Sequence, residues 1–175
     1  MPTVSPEPPD PPPPCQDRHV AASTTRWQRE VPEAIRTLGT LPNADYADIV
    51  TAAIDAAPAE PEQVIHETLR RMPRGLVLFI PFVQRVMLGL RLKLQPSPEY
   101  LLGWKIAERG DNWLRIEAAS WFLTGHVVIH VDDRQISLAS FIRYDRRLAA
   151  FVWPPVSLIH RQVALALVRG AVHAL

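Results

Sequence analysis

Residues 100–144 read YLLGWKIAERGDNWLRIEAASWFLTGHVVIHVDDRQISLASFIRY, four runs of alternating side chains divided by short turn-forming breaks. In the first run Leu102, Trp104 and Ile106 share one face, with Gly103, Lys105 and Ala107 on the other. Gly110-Asp111-Asn112 interrupts the pattern, after which Leu114, Ile116 and Ala118 oppose Trp113, Arg115 and Glu117. Val127, Ile129 and Val131 then alternate with His126, Val128 and His130. Beyond the Asp132-Asp133 turn, Ile136, Leu138 and Ile142 lie opposite Gln135, Ser137 and Arg143. A period of two is that of a strand, and breaks this short make the strands antiparallel neighbours. One face of the sheet is aliphatic and the other is expected to be wet.

The flanking segments supply what covers the aliphatic face. Upstream, residues 44–54 alternate Tyr46, Asp48 and Val50 with Ala47, Ile49 and Thr51, which predicts a further strand. Glu60-Pro61-Glu62 places acids and a proline where a helix starts, and Ile65, Leu69 and Met72 recur along one side until Pro73 stops it. Residues 76–94 are apolar nearly all round as far as Gln84 and Arg85, and Pro81 should kink or divide them. A helix of that kind is expected to be covered on several sides. Downstream, Val152, Val156, Ile159, Val163, Leu167 and Gly170 mark one side of a long closing helix from about Pro154, with Gly170 expected to let it approach the sheet. The expected fold class is α+β: a curved antiparallel sheet of about five to seven strands wrapped around a long C-terminal helix, with two helices between the first strand and the rest.

A chain of 175 residues with 47% apolar and 21% charged side chains is sized for one core, and 19 basic against 18 acidic residues create no broad field for nucleic acid. Cys15 is the lone cysteine, which excludes an internal disulfide and a cysteine metal site. Eight of the 18 prolines fall in residues 1–14, and the run Pro11-Pro12-Pro13-Pro14 favours an extended conformation that packs no core. Residues 1–40 are therefore expected to be a Pro-rich, disordered extension and residues 41–175 the domain; docking to an SH3-like groove is the sharper alternative for the tail. Within it, Trp27, Val31, Ile35 and Leu38 are spaced for a short helix from about Pro32 that packs at the domain edge. No secretory pattern opens the chain, so the cytoplasm is the expected location. Residues 76–90 are too short for a membrane span, and residues 148–168 hold Pro154-Pro155 and His160-Arg161-Gln162 at their centre. No integral span is expected, with a peripheral membrane contact as the lesser alternative.

Four short motifs carry a family resemblance: Ala44-Asp45-Tyr46-Ala47-Asp48, Leu102-Gly103-Trp104-Lys105-Ile106, Ser140-Phe141-Ile142-Arg143-Tyr144-Asp145-Arg146, and the pair His160-Arg161 in the last helix. With the order of strand, two helices, meander and closing helix, they resemble an uncharacterised bacterial group in the START-like, or polyketide cyclase-like, helix-grip superfamily (SRPBCC) over about residues 41–175. The resemblance implies a cavity between sheet and last helix that in relatives holds sterols, lipids, polyketides or plant hormones. Five strands are counted here where full members show six or seven, and no motif matches the catalytic residues of the cyclase branch.

The expected function is the binding of a small hydrophobic ligand, a lipid, polyketide or similar molecule, in that cavity. Its expected lining is Leu102, Trp104, Ile106, Leu114 and Ile116, then Val127, Ile129, Ile136, Leu138 and Ile142, with Val156, Ile159 and Val163 from the helix. No cofactor or metal is expected: His126 and His130 point the same way but stand about 13 Å apart along a strand, too far for one ion, and are expected at the surface. Arg115, Glu117 and Arg143 should form an ion-pair ladder on the wet face, or an acid-binding site if that face were the interior. His160 is expected near the cavity mouth, where an imidazole could serve as a general base on a carbonyl compound; the plainer role is a buried ring satisfied within its helix. Tyr144-Asp145-Arg146-Arg147 is either an anion site or, more simply, a solvated turn. Ser120, Ser137, Ser140 and Ser157 lack a Gly-x-Ser-x-Gly elbow, and no Gly-rich phosphate loop occurs. The rival functions are a cyclase- or hydratase-type enzyme on the same fold, and a non-ligand interaction protein with a solid core and an exposed apolar patch on residues 76–90.

Overall fold

The computed structural model describes residues 25–54, 60–95 and 97–174. Seven strands form one antiparallel sheet: β1 Arg26–Gln28, β2 Tyr46–Ala53, β3 Tyr100–Leu101, β4 Trp104–Arg109, β5 Trp113–Ala119, β6 Leu123–Val131 and β7 Gln135–Tyr144. Their spatial order is β1-β2-β7-β6-β5-β4-β3. The meander from β3 to β7 is local, while β2 joins it from far upstream by pairing with β7 from Tyr46↔Ile142 to Ala53↔Gln135. Four helices complete the fold: α1 Glu33–Gly39, α2 Pro61–Arg71, α3 Arg74–Val86 and α4 Arg147–Val172.

The curved sheet wraps around α4, as the order of patterns predicts. The aliphatic side of the meander faces inward, where Ile116, Ile129, Ile136 and Leu138 meet Trp153, Val156, Leu167 and Val168 of α4 in one core. Each such side chain, fully buried, contributes about 1.5–3 kcal/mol. By length and composition α4 would pass as a membrane span, as core helices of this kind do; here its apolar side lies on the sheet.

Several expectations change. The run from residue 100 is a hairpin rather than one strand: Leu102 and Gly103 both adopt left-handed backbone, with φ of 54° and 84°, and form a two-residue turn between β3 and β4. Asn-Gly or Asp-Gly would announce such a turn, and leucine at that position gives no signal. With β1, this raises the count from five strands to seven. β1 pairs with β2 through Arg26↔Thr51, Trp27↔Val50 and Gln28↔Ile49, so the packed unit reaches back to Arg26 and the boundary expected at Leu41 falls inside it. The Pro-rich run itself lies outside the described residues.

The outer face is not uniformly wet. Ile35 of α1 and Val31 just before it pack on Ile49, Val128, Ala139 and Phe141. Gly39 is required there, because a Cβ would stand 2.5 Å from the Phe141 ring. The helix end is held by two residues expected on the wet surface, Arg115 from the ion-pair ladder and His126. Arg115 donates to the Leu38 carbonyl at 3.1 Å, and His126 Nδ1 donates to the Gly39 carbonyl at 2.7 Å. Cationic and N–H donors at a helix C-terminus are favourable because the last carbonyls lack partners within the helix. His126 is therefore buried, contrary to its expected surface position. Arg115 also pairs with Glu117 and Glu108, whereas Arg143 pairs instead with Asp145.

α4 starts at Arg147, well before Pro154, and continues through both prolines. The carbonyls they leave without helical partners belong to Ala150 and Phe151, both exposed residues on the solvent side of the helix. Gly170 faces α2 rather than the sheet: a Cβ there would meet the Thr68 methyl at 2.8 Å. α3 is the largest departure. It ends at Val86 and buries Ile80 and Val83, leaving Leu78, Phe82, Val86 and Met87 exposed. Beyond it, Leu88, Leu90 and Leu92 turn inward along a segment that is not helical.

Candidate functional site

Between the inner face of the sheet and α4 lies a void of about 90 Å³. The sheet contributes Trp104, Ile116, Val127 and Ile129, α4 contributes Val156, Ile159 and Val163, and α3 closes the side with Phe79, Ile80 and Val83. Gly125 admits Trp104 to this wall, since a Cβ there would lie 3.0 Å from the edge of the indole. Phe79 lines the void yet is 43% exposed, so it marks the mouth. Almost the whole wall is hydrocarbon. The lining residues that carry polar groups are Gln84, His160, Trp104 and Trp153, and the Trp104 indole N–H donates to Gln84 Oε1 at 3.2 Å.

At one end of this void the lining meets a buried polar cluster. Asp48 and Ser140 are cross-strand partners in the β2–β7 register, and both point to the inner side. They are 1% and 0% exposed. His160, on α4, stands over the pair: its Nε2 is 2.9 Å from Ser140 Oγ and 3.7 Å from Asp48 Oδ1. The Tyr46 hydroxyl donates to Asp48 Oδ2 at 2.7 Å, and the Trp27 indole N–H donates to the same oxygen at 3.0 Å. Aromatic and cationic groups enclose the cluster. The Tyr46 ring packs edge-on against Trp153 and carries the Arg29 guanidinium at 4.1 Å, and Arg161 stacks on Trp27 at 3.8 Å.

Serine, histidine and aspartate in one cluster invite comparison with a nucleophilic triad, and the geometry excludes one. In a triad the acid orients the imidazole through one nitrogen while the other activates the hydroxyl. Here Ser140 and Asp48 both address Nε2, and Ser140 is fully buried. The negative charge of Asp48 favours a proton on Nε2, with Ser140 as the acceptor.

Burial by itself would raise the Asp48 pKa. His160, foremost among the opposing groups, together with the Tyr46 hydroxyl and the Trp27 N–H, holds the carboxyl below its ordinary value. The Tyr46 hydroxyl is raised, first by burial and then by its bond to the Asp48 carboxylate. A folded-state pKa below the unfolded value of about 3.9 means that ionised Asp48 stabilises the fold above that pH, and that this contribution fades as pH falls towards the folded value. Urea melts across a pH series should show stability declining below about pH 4, with a shallower decline in Asp48→Asn. An unchanged acid slope in that variant would contradict the assignment.

Of the residues expected to line the site, Leu102, Trp104, Ile116, Val127, Ile129 and Leu138 border the void, joined by Ile142, Val156, Ile159 and Val163. Ile106, Leu114 and Ile136 belong to the same inner core but do not border it. His160 lies at the site as expected. Asp48, Tyr46, Trp27 and the α3 residues were not foreseen as site residues. The available signal was a polar side chain on an otherwise apolar strand face: Asp48 between Tyr46 and Val50, and Ser140 between Leu138 and Ile142. Trp153 adds an indole N–H that is buried without a hydrogen-bond partner among the described residues. A scan against protein-family models, a search of curated proteins and a search of solved structures each find no match to this chain.

Proposed function

We propose that this chain is a START-like helix-grip domain that binds a compact hydrophobic ligand carrying one polar group. The observation that carries this reading is the void itself, apolar on nearly all sides and bounded at one end by His160. A dry cavity of roughly 150 Å³ accepts benzene, so about 90 Å³ favours an enclosed portion no larger than a small ring or a short chain end, with the rest of the ligand leaving past Phe79. Burial of that portion would yield about 25 cal/mol per Å² of apolar surface. Gln84 and His160 in the wall, and the unpartnered N–H of the lining residue Trp153, favour a carbonyl or hydroxyl over a plain hydrocarbon if that N–H reaches the ligand, because a buried donor gains from an acceptor. Native mass spectrometry of protein purified from its host tests this: a copurified apolar compound supports the reading, and uniformly empty protein argues against it.

A second reading rests on His160. An imidazole that borders the void and is anchored by Asp48 and Ser140 could move a proton on a bound carbonyl compound, as a cyclase or hydratase requires. His160→Gln separates the two. A carrier would keep the same compound, whereas an enzyme would accumulate the unconverted substrate, told from the product by mass for a hydratase and by chromatographic retention for a ring closure that leaves the mass unchanged.

A further inference from the structure

We propose that α3 and the segment after it form a docking face for an anionic lipid bilayer. Leu78, Phe82 and Val86, spaced four apart on successive turns, make one stripe and are 71%, 60% and 63% exposed. Phe79 and Met87 extend this apolar face, and Phe79 also borders the cavity. Contiguous exposure of large apolar groups marks a surface with a partner.

The charge around this face says which partner. Between Glu67 and Glu99 the sequence has six basic residues and no acidic one. Arg70 and Arg71 pair back to Glu67, while Arg74, Arg85, Arg91 and Lys93 form no salt bridge among the described residues. Arg74 precedes Leu78 by one turn and Arg85 follows Phe82 by three residues, so both flank the apolar stripe. Arg85, Arg91 and Lys93 also line an open groove with Gly89 and Tyr100 at the end of the helix. Lys93 lies over the Tyr100 ring at 4.8 Å, and none of the four has an acidic partner among the described residues; apolar side chains beside such cations are the complement of hydrocarbon beneath anionic headgroups. A second copy of the chain is the poorer occupant, because a two-fold contact would set these cations against themselves. At 13 residues, about 20 Å, α3 is too short to cross a bilayer and would lie in its surface.

Flotation with lipid vesicles tests the proposal. The protein should float with vesicles containing phosphatidylglycerol and far less with phosphatidylcholine alone. Leu78→Asp with Phe82→Asp should reduce binding about tenfold or more, and Arg85→Ala with Arg91→Ala should reduce it about fivefold per charge on anionic vesicles only. All four positions are exposed, so unchanged circular dichroism and melting are expected, and the arginine pair supplies an independent arm should the aspartates disturb folding. Val127→Phe, which fills the cavity, should leave flotation intact, keeping this result separate from the ligand reading. Failure to bind anionic vesicles at low salt, binding indifferent to both variants, or a dimer in solution that Leu78→Asp with Phe82→Asp dissolves would overturn it.

Discussion

Asp48→Ala is expected to lower the unfolding free energy by roughly 3–5 kcal/mol, the cost of removing one member of a buried charged cluster. The substitution leaves the Tyr46 hydroxyl and the Trp27 indole N–H without their shared acceptor and leaves His160 beside no carboxylate. Tyr46, 6% exposed, cannot simply turn to water, while Trp27 and His160 are half-buried. The loss should spread across all these elements, since Trp27 lies on β1, Tyr46 and Asp48 on β2, and His160 on α4. Asp48→Asn keeps an acceptor oxygen and should cost less, about 1–3 kcal/mol. Urea or guanidinium titration measures both. A loss under about 1 kcal/mol for the alanine variant would mean that the cluster behaves like an exposed ion pair.

Val127→Phe is expected to weaken binding of any cavity ligand by roughly 100-fold, about 2.7 kcal/mol, with little loss of stability. Val127 lies on β6, opposite α4, and borders the void. A larger ring there enters empty space rather than a packed neighbour, so the usual overpacking cost of about 1–3 kcal/mol should be largely avoided. Thermal melts that hold or rise, together with lost binding, would identify the void as the binding site. A strongly destabilised variant would show that the wall cannot take up the added ring.

The sheet and the closing helix were legible because period-two alternation marks the strands between Trp104 and Ile142, and one aliphatic face must then find a cover. The sheet's share of the inner lining follows from that alternation, although Ile106, Leu114 and Ile136 share the face without bordering the void. The polar cluster was not legible as a unit: Asp48 and Ser140 are 92 positions apart in the sequence, and only the β2–β7 register makes them partners. His160 stood out as an imidazole on an apolar helix, but nothing in the sequence says that Asp48 lies beneath it. The turn at Leu102-Gly103 was hidden by a leucine in a backbone conformation that leucine rarely adopts. The outer face differs from its pattern for another reason. Arg115 and His126 are polar, yet both are buried by α1, whose contribution to the sheet cannot be read from strand alternation. α3 shows the converse: composition demanded cover, and the fold supplies it on one side only.

The most direct measurement is calorimetric titration with cyclopentanone, a compact apolar ring bearing one carbonyl, on the wild-type chain and on Val127→Phe. Saturable one-to-one heat in the wild type, lost in the variant, is the predicted result. Heat no greater than dilution in the wild type, or equal binding by both proteins, would contradict a ligand cavity between the sheet and α4.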